Sequence, residues 1–112
     1  MGLNLENLSV IQGRQGLSIT GNSLKNKIDC SGQTLGFGVT VDGGGGDDSI
    51  IGTSHADKLT GGAGHDTIKA GGGSDTIFAN DGLKDVLDGG PGSDKAKRDA
   101  GLDSVTNIES FL

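Results

Sequence analysis

GGGGDDSII (residues 43–51), GTSHADKLT (52–60), GGAGHDTIK (61–69) and AGGGSDTIF (70–78) follow one another without a skipped residue. The sixth place of each unit is an acid: Asp48, Asp57, Asp66 and Asp75. The eighth place is aliphatic: Ile50, Leu59, Ile68 and Ile77. A nine-residue period that saves one aliphatic per unit for one inward place predicts a thin solenoid, in which each turn is covered only by its neighbours.

The period extends beyond these units. Ala79 to Asp88 (ANDGLKDVLD) takes ten residues, with Asp85 at the acidic place and Leu87 or Val86 inward. An extra residue at a turn is tolerated. Gly89 to Lys97 (GGPGSDKAK) restores the count with Asp94, and Ala96 is a weak core residue that suggests the stack is ending. Upstream, Val10, Ile19, Ile28 and Phe37 keep the nine-residue rhythm, but Leu8, Leu17, Asn26 and Leu35 stand at the sixth place. That reads as metal-poor stacked turns over 1–42, with an irregular segment as the alternative. Val39 to Asp42 (VTVD) interrupts the count by four residues as a strand edge or corner; Asp42 is either an extra oxygen donor or a turn residue. The tail, 98–112, gathers Leu102, Val105, Ile108, Phe111 and Leu112. It is expected to cap the open end of the roll, as a short helix or an extended segment. The three parts, 1–42, 43–97 and 98–112, form one continuous solenoid domain on this reading.

Composition narrows the function. The chain has 112 residues, 23 of them Gly and only three aromatic, and a formal net charge of −6. Phosphate binding needs clustered Lys and Arg, so nucleic acid is excluded as a partner. Cys30 is the single cysteine and has no internal disulfide partner. No apolar run is long enough to span a membrane. Met1 to Glu6 (MGLNLE) lacks the basic start and apolar stretch of a signal peptide, and the chain reads as a piece of something longer. There is no Ser-His-Asp or HExxH constellation, so no catalysis is assigned.

A regular row of acids favours a cation. Calcium takes six to eight oxygens from carboxylates and carbonyls. One unit supplies one Asp and a few uncovered carbonyls, so an ion needs two turns stacked at about 4.8 Å. With two units per coil, Asp48, Asp66 and Asp85 share one edge, and Asp57, Asp75 and Asp94 the other. Ions are expected between Asp48 and Asp66, Asp57 and Asp75, Asp66 and Asp85, and Asp75 and Asp94. The turn places offering carbonyls are Gly43, Gly44 and Gly46; Thr53 and His55; Gly61, Gly62 and Gly64; Gly71 and Gly73; and Gly89, Gly90 and Gly92. The competing reading is an Asp-turn solenoid without metal, since Asp and Gly are ordinary turn residues. Such a row repels itself, and a purely structural turn has Asn or Ser available. Magnesium demands stricter octahedral geometry, and zinc wants Cys or His. His55 and His65 occupy variable places and read as surface residues.

Residues 43–97 resemble the β-roll repeats of the RTX (repeats-in-toxin) family, with pattern G-G-x-G-x-D-x-U-x. Gly61 to Phe78 is the closest stretch, and Thr53, His55, Ala70 and the insertion at 79–88 depart from it. GLSITGNSLKNKI (16–28) resembles segments that lead into such arrays. The resemblance implies an all-β fold, a right-handed parallel β-roll holding about three to five calcium ions. It also implies a monomeric, secreted bacterial module, exported unfolded through type I secretion machinery and folding on external calcium. A glycan-binding or adhesin module of a larger secreted enzyme, such as an alginate epimerase, and a fragment of a secreted hydrolase or toxin are the alternatives.

Overall fold

The computed structural model describes residues 4–5, 9–13, 16–31 and 36–112, with side chains from Leu17 to Ser31 and from Gly36 onward. Among the described residues thirteen strands make up the regular structure: β1 (Asn4–Leu5), β2 (Ser9–Gly13), β3 (Gly16–Thr20), β4 (Lys27–Asp29), β5 (Val39–Asp42), β6 (Ser49–Ile51), β7 (Lys58–Thr60), β8 (Thr67–Lys69), β9 (Thr76–Phe78), β10 (Val86–Asp88), β11 (Lys95–Lys97), β12 (Ser104–Thr106) and β13 (Ser110–Phe111). No helix occurs among the described residues.

From β3 onward successive strands alternate between two sheets. One has the order β1-β4-β6-β8-β10-β12, the other β13-β11-β9-β7-β5-β3-β2. From β3 and β4 onward every pairing is parallel. The result is a parallel β-solenoid in which two nonapeptides make one coil. The strands are short because each nine-residue unit spends most of its length on the turn. The centre residue of a strand points in and its neighbours point out, as the pleat requires. Thr67-Ile68-Lys69 shows this alternation: Ile68 is fully buried and its flanks are exposed.

Register stacks like on like. Ile28, Ile50, Ile68, Leu87 and Val105 align across one sheet. Ile19, Val41, Leu59, Ile77, Ala96 and Phe111 align across the other. Cys30, Ala70 and Ala79 fill the space beside these rows. Leu87, not Val86, is the inward residue of its turn.

Two expectations change here. Phe37 is only half-buried and lies outside the strands; Val41 takes the inward place between Ile19 and Leu59. Because four extra residues fall between β4 and β5, Ile28 pairs with Ile50 and Ile19 with Val41 at intervals of 22 residues, where the following coils use 18 or 19 and the last pair, Ala96 with Phe111, 15. At the N-terminal edge β1 pairs antiparallel with β4, and β2 antiparallel with β3 as a hairpin, so Val10 faces Ile19 across a hairpin ladder and not along a stacked turn. Leu8 and Leu35 lie outside the described residues, as does the side chain of Val10.

The tail 98–112 is extended and contributes the last strand of each sheet, β12 and β13. Val105 and Ile108 pack against the core, whereas Leu102, Phe111 and Leu112 stay exposed. The Arg98 guanidinium lies 4.0 Å from the Phe111 ring centroid and covers part of that ring.

Candidate metal centre

The sixth-place residues line the two edges of the roll. On one edge, Asp48 Oδ1 accepts the backbone N–H of Asn26 at 2.8 Å and Asp66 Oδ1 that of Asp48 at 2.9 Å. Asp85 Oδ1 then accepts from Asp66 at 2.7 Å and Asp103 Oδ1 from Asp85 at 2.8 Å. On the other edge, Asp57, Asp75, Asp94 and Glu109 accept in turn from Val39, Asp57, Asp75 and Asp94, each at 2.8 Å. Each acid therefore ties its coil to the preceding one with one oxygen.

Asp103 and Glu109 were not expected in these rows. The signal was present for Asp103: Arg98 to Thr106 (RDAGLDSVT) is another nine-residue unit, with Asp103 sixth and Val105 eighth. Its lack of a leading Gly-Gly hid it. Glu109 sits in a shortened last turn, where its longer side chain reaches the N–H that an Asp reaches elsewhere.

The second oxygen separates two kinds of turn. In Asp48, Asp66, Asp75, Asp85 and Asp94, Oδ2 is buried with no hydrogen-bond partner. Buried polar atoms are normally paired, so five such orphans require a ligand or a protein-wide penalty. Asp57 is different. Its Oδ2 accepts the N–H of Thr53 at 2.7 Å, and its Oδ1 also accepts the Thr53 hydroxyl at 2.8 Å. Asp103 likewise takes the Asp99 N–H on Oδ2, and Asn26 takes the Asn22 N–H.

In the nine-residue units the second residue of the turn decides which kind forms; the ten-residue unit of Asp85 has Asn80 there, without a positive φ, and still leaves an orphan oxygen. Gly44, Gly62, Gly71 and Gly90 stand there with φ between +75° and +89°, and the Asp of each such turn has an orphan oxygen. Thr53, Asn22 and Asp99 have no positive φ, and their N–H groups point into the carboxylate or amide instead. A non-Gly residue avoids the left-handed region, so it turns a donor toward the place where the glycine turns leave none.

The glycine turns also bring carbonyls together. The carbonyl oxygens of Gly44 and Gly46 lie against Gly62 and Gly64 of the next coil, and those of Gly71 and Gly73 against Gly90 and Gly92, where a side chain would collide. Gly43 and Gly61 sit so close to Asp48 Oδ2 and Asp66 Oδ2 that a Cβ on either would stand 2.5 Å from the carboxylate. At Gly89 the same place faces Asp94 Oδ2 and the Asn107 carbonyl. Each of these glycine turns is thus a cradle of anionic and carbonyl oxygen, closed to side chains.

Burial pushes these carboxyls up: Asp66 to about 7, Asp75 to about 8, Asp48 and Asp85 to about 6, and Asp94 upward as well. Desolvation dominates in each case, the backbone N–H of the preceding coil opposes it, and the charges of neighbouring acids reinforce it, while the Asp75 side chain pulls Asp94 the other way. Among the described residues no Lys, Arg or His pairs with these groups. The donor set is hard oxygen without nitrogen or sulfur, which suits calcium and not zinc.

Both histidines stand apart from the rows. His65 bonds the Lys84 carbonyl and is exposed. His55 is exposed and donates its N–H to Thr53 Oγ1. Asp42 accepts the Gly44 N–H at 3.0 Å in a local turn and plays no part in the rows. Cys30 is buried, and desolvation with nearby Asp57 and Asp29 pushes its thiol up to about 12, so it is inert core.

Comparison with family models finds the RTX calcium-binding nonapeptide repeat, four copies, over residues 40–68 and 51–83. Residues 40–83 carry RTX calcium-binding repeats. The matched span holds the open turns of Asp48, Asp66 and Asp75 and the closed turn of Asp57. The rows of acids run on past it through Asp85 and Asp94. No curated protein matches the chain, and no solved structure does.

Proposed function

We propose that this RTX chain is a non-catalytic module of a secreted bacterial protein whose folding is switched on by calcium. What supports the reading is the set of buried carboxylate oxygens without a partner on five sixth-place acids, Asp48, Asp66, Asp75, Asp85 and Asp94. Ionised and unpaired, they oppose the fold; bound to calcium, they become its ligands. The ions belong between Asp48 and Asp66, between Asp66 and Asp85, and between Asp75 and Asp94, with carbonyls from the adjoining glycine turns. Calcium supplies positive charge that cancels the repulsion along each row. Asp57, Thr53 and His55 hold none, because the Thr53 N–H already occupies the second carboxylate oxygen.

The fold's dependence on calcium follows from its thin core. Each unit contributes one inward aliphatic, and the last coil only Ala96 and partly buried Val105 and Ile108. Binding only to the folded form adds about 2.7 kcal/mol per site at a hundredfold excess of calcium over its dissociation constant. Extracellular calcium modules operate near 10⁻⁴–10⁻³ M. A chain of this affinity stays unfolded in a calcium-poor cytosol, a state compatible with type I export, and folds outside.

Far-UV circular dichroism with chelator and with millimolar calcium tests the proposal. The β signal should appear only with calcium, steeply, with about three ions bound by titration calorimetry. Equal β content in both conditions would falsify it.

A further inference from the structure

We infer that the ten-residue unit 79–88 builds a three-carboxylate cation site from Asp66, Asp81 and Asp85, distinct in charge from the two-carboxylate sites elsewhere in the roll. This rests on the calcium reading above and goes beyond it in naming Asp81 and a hierarchy among the sites.

One oxygen from each of the three side chains lies within 4.8 Å of the others. Each of the three also has an Oδ2 that is buried and without a hydrogen-bond partner. Asp66 and Asp85 are 1% and 0% exposed. Asp81 is held in place from two sides. Its Oδ1 accepts the Leu83 N–H at 2.9 Å, and its own N–H and that of Gly82 both donate to Asp99 Oδ2, at 2.9 and 2.7 Å. These bonds occupy the Oδ1 and the N–H of Asp81 and leave its Oδ2 without a partner beside the other two carboxylates. No Lys, Arg or His among the described residues neutralises them.

The extra residue of this unit explains the geometry. Asp66 to Asp85 is 19 residues, one more than Asp48 to Asp66. Asp81 holds the third place, where the regular units have Gly, Ser, Ala or Pro, and the added residue falls after Gly82 and lengthens the link from Asp81 to Asp85. The positive φ at the second place is lost here, and only Gly82 is left-handed. A third carboxylate therefore replaces part of the carbonyl cradle. More anionic charge at fixed ligand type raises affinity for a hard cation and raises it more for a trivalent one. This site should fill first, and Asp99, from the following coil, supports it by positioning Asp81.

The full chain loaded with europium tests the idea. Its lowest excitation gives one line per class of site, displaced according to the anionic charge of the ligands. The wild type should show two classes of line. Calcium should need at least a tenfold higher concentration to displace the ion from the higher-charge class. Asp81→Asn keeps the Oδ1 bond to Leu83 and should stay folded in calcium by circular dichroism. It should lose the higher-charge line while the other persists. A single line class in the wild type overturns the inference without recourse to any variant, and so does an Asp81→Asn spectrum identical to wild type. Either result leaves the calcium reading intact. Absence of any calcium or europium binding by the wild type would instead overturn both.

Discussion

Replacing Asp66 by Asn should move stability in opposite directions with and without calcium. Asn keeps the Oδ1 acceptor for the Asp48 N–H, so the link between coils survives. What changes is the charge. At an effective dielectric of about 20, two unit charges 4.8 Å apart repel by about 3 kcal/mol. Removing the Asp66 charge relieves that repulsion toward Asp81 and Asp85. The new amide must find an acceptor or cost about 1–3 kcal/mol, and those same carboxylates are close enough to accept. In chelator at pH 8 the folded form should gain about 1–3 kcal/mol net. In saturating calcium the variant should instead lose about 3 kcal/mol per weakened site, the linkage energy of an ion at a hundredfold excess. The assay is far-UV circular dichroism in two titrations: calcium for the holo form, and in chelator an excluded osmolyte such as sucrose, which favours the compact state. Asp66→Asn should need more calcium and less sucrose than wild type. A shift of both midpoints toward lower stability would refute the idea that the orphan oxygens oppose the metal-free fold.

Three more expectations follow from the same geometry. Gly62→Ala forces a methyl into φ +86° and onto the Gly44 carbonyl, at a cost of about 1–2 kcal/mol from the backbone conformation before the collision is counted. Gly72→Ala meets nothing nearer than 3.6 Å at an ordinary φ and should change the urea midpoint in calcium little. In chelator the folded carboxyls bind protons more tightly than the ordinary 3.8, so the metal-free fold should weaken as pH rises from about 4 through 6–8. In calcium the sense reverses, because protons compete with the ion: the calcium midpoint should fall as pH rises through the same window, as a pH series of titrations can check. Thr53→Gly removes the hydroxyl and permits the left-handed turn, so calorimetry should count one additional calcium ion per chain; an unchanged stoichiometry would contradict the role given to the second turn residue.

Much of this protein was readable from its period. An aliphatic every nine residues forces one inward side chain per short strand, and an acid two places earlier then falls at the turn whatever the rest of the unit contains. That is why Ile50, Leu59, Ile68 and Ile77, and the two rows from Asp48 to Asp94, were assignable before any coordinates. Where the period is broken, spacing misleads. Phe37 kept the rhythm, but the four extra residues before β5 gave its place to Val41. The hairpin of β2 and β3 turns an apparent stacked coil into an antiparallel edge.

The site was legible as residue types and only partly as roles. Asp57 and Asp66 hold the same place in the repeat, yet one carboxylate is satisfied by Thr53 and the other retains an orphan oxygen. The difference lies in which way one peptide faces, and that depends on whether the second residue can take a positive φ. Asp81 and Asp103 were visible as letters, but their function depends on partners a coil away: Asp99 above one, the Asp85 N–H below the other. The sequence alone determined the repeat, its inward stripe and its acidic edges, because these follow from local periodicity. The tertiary structure decided which acids are free to take an ion, because that depends on the stacking of turns some 18 residues apart.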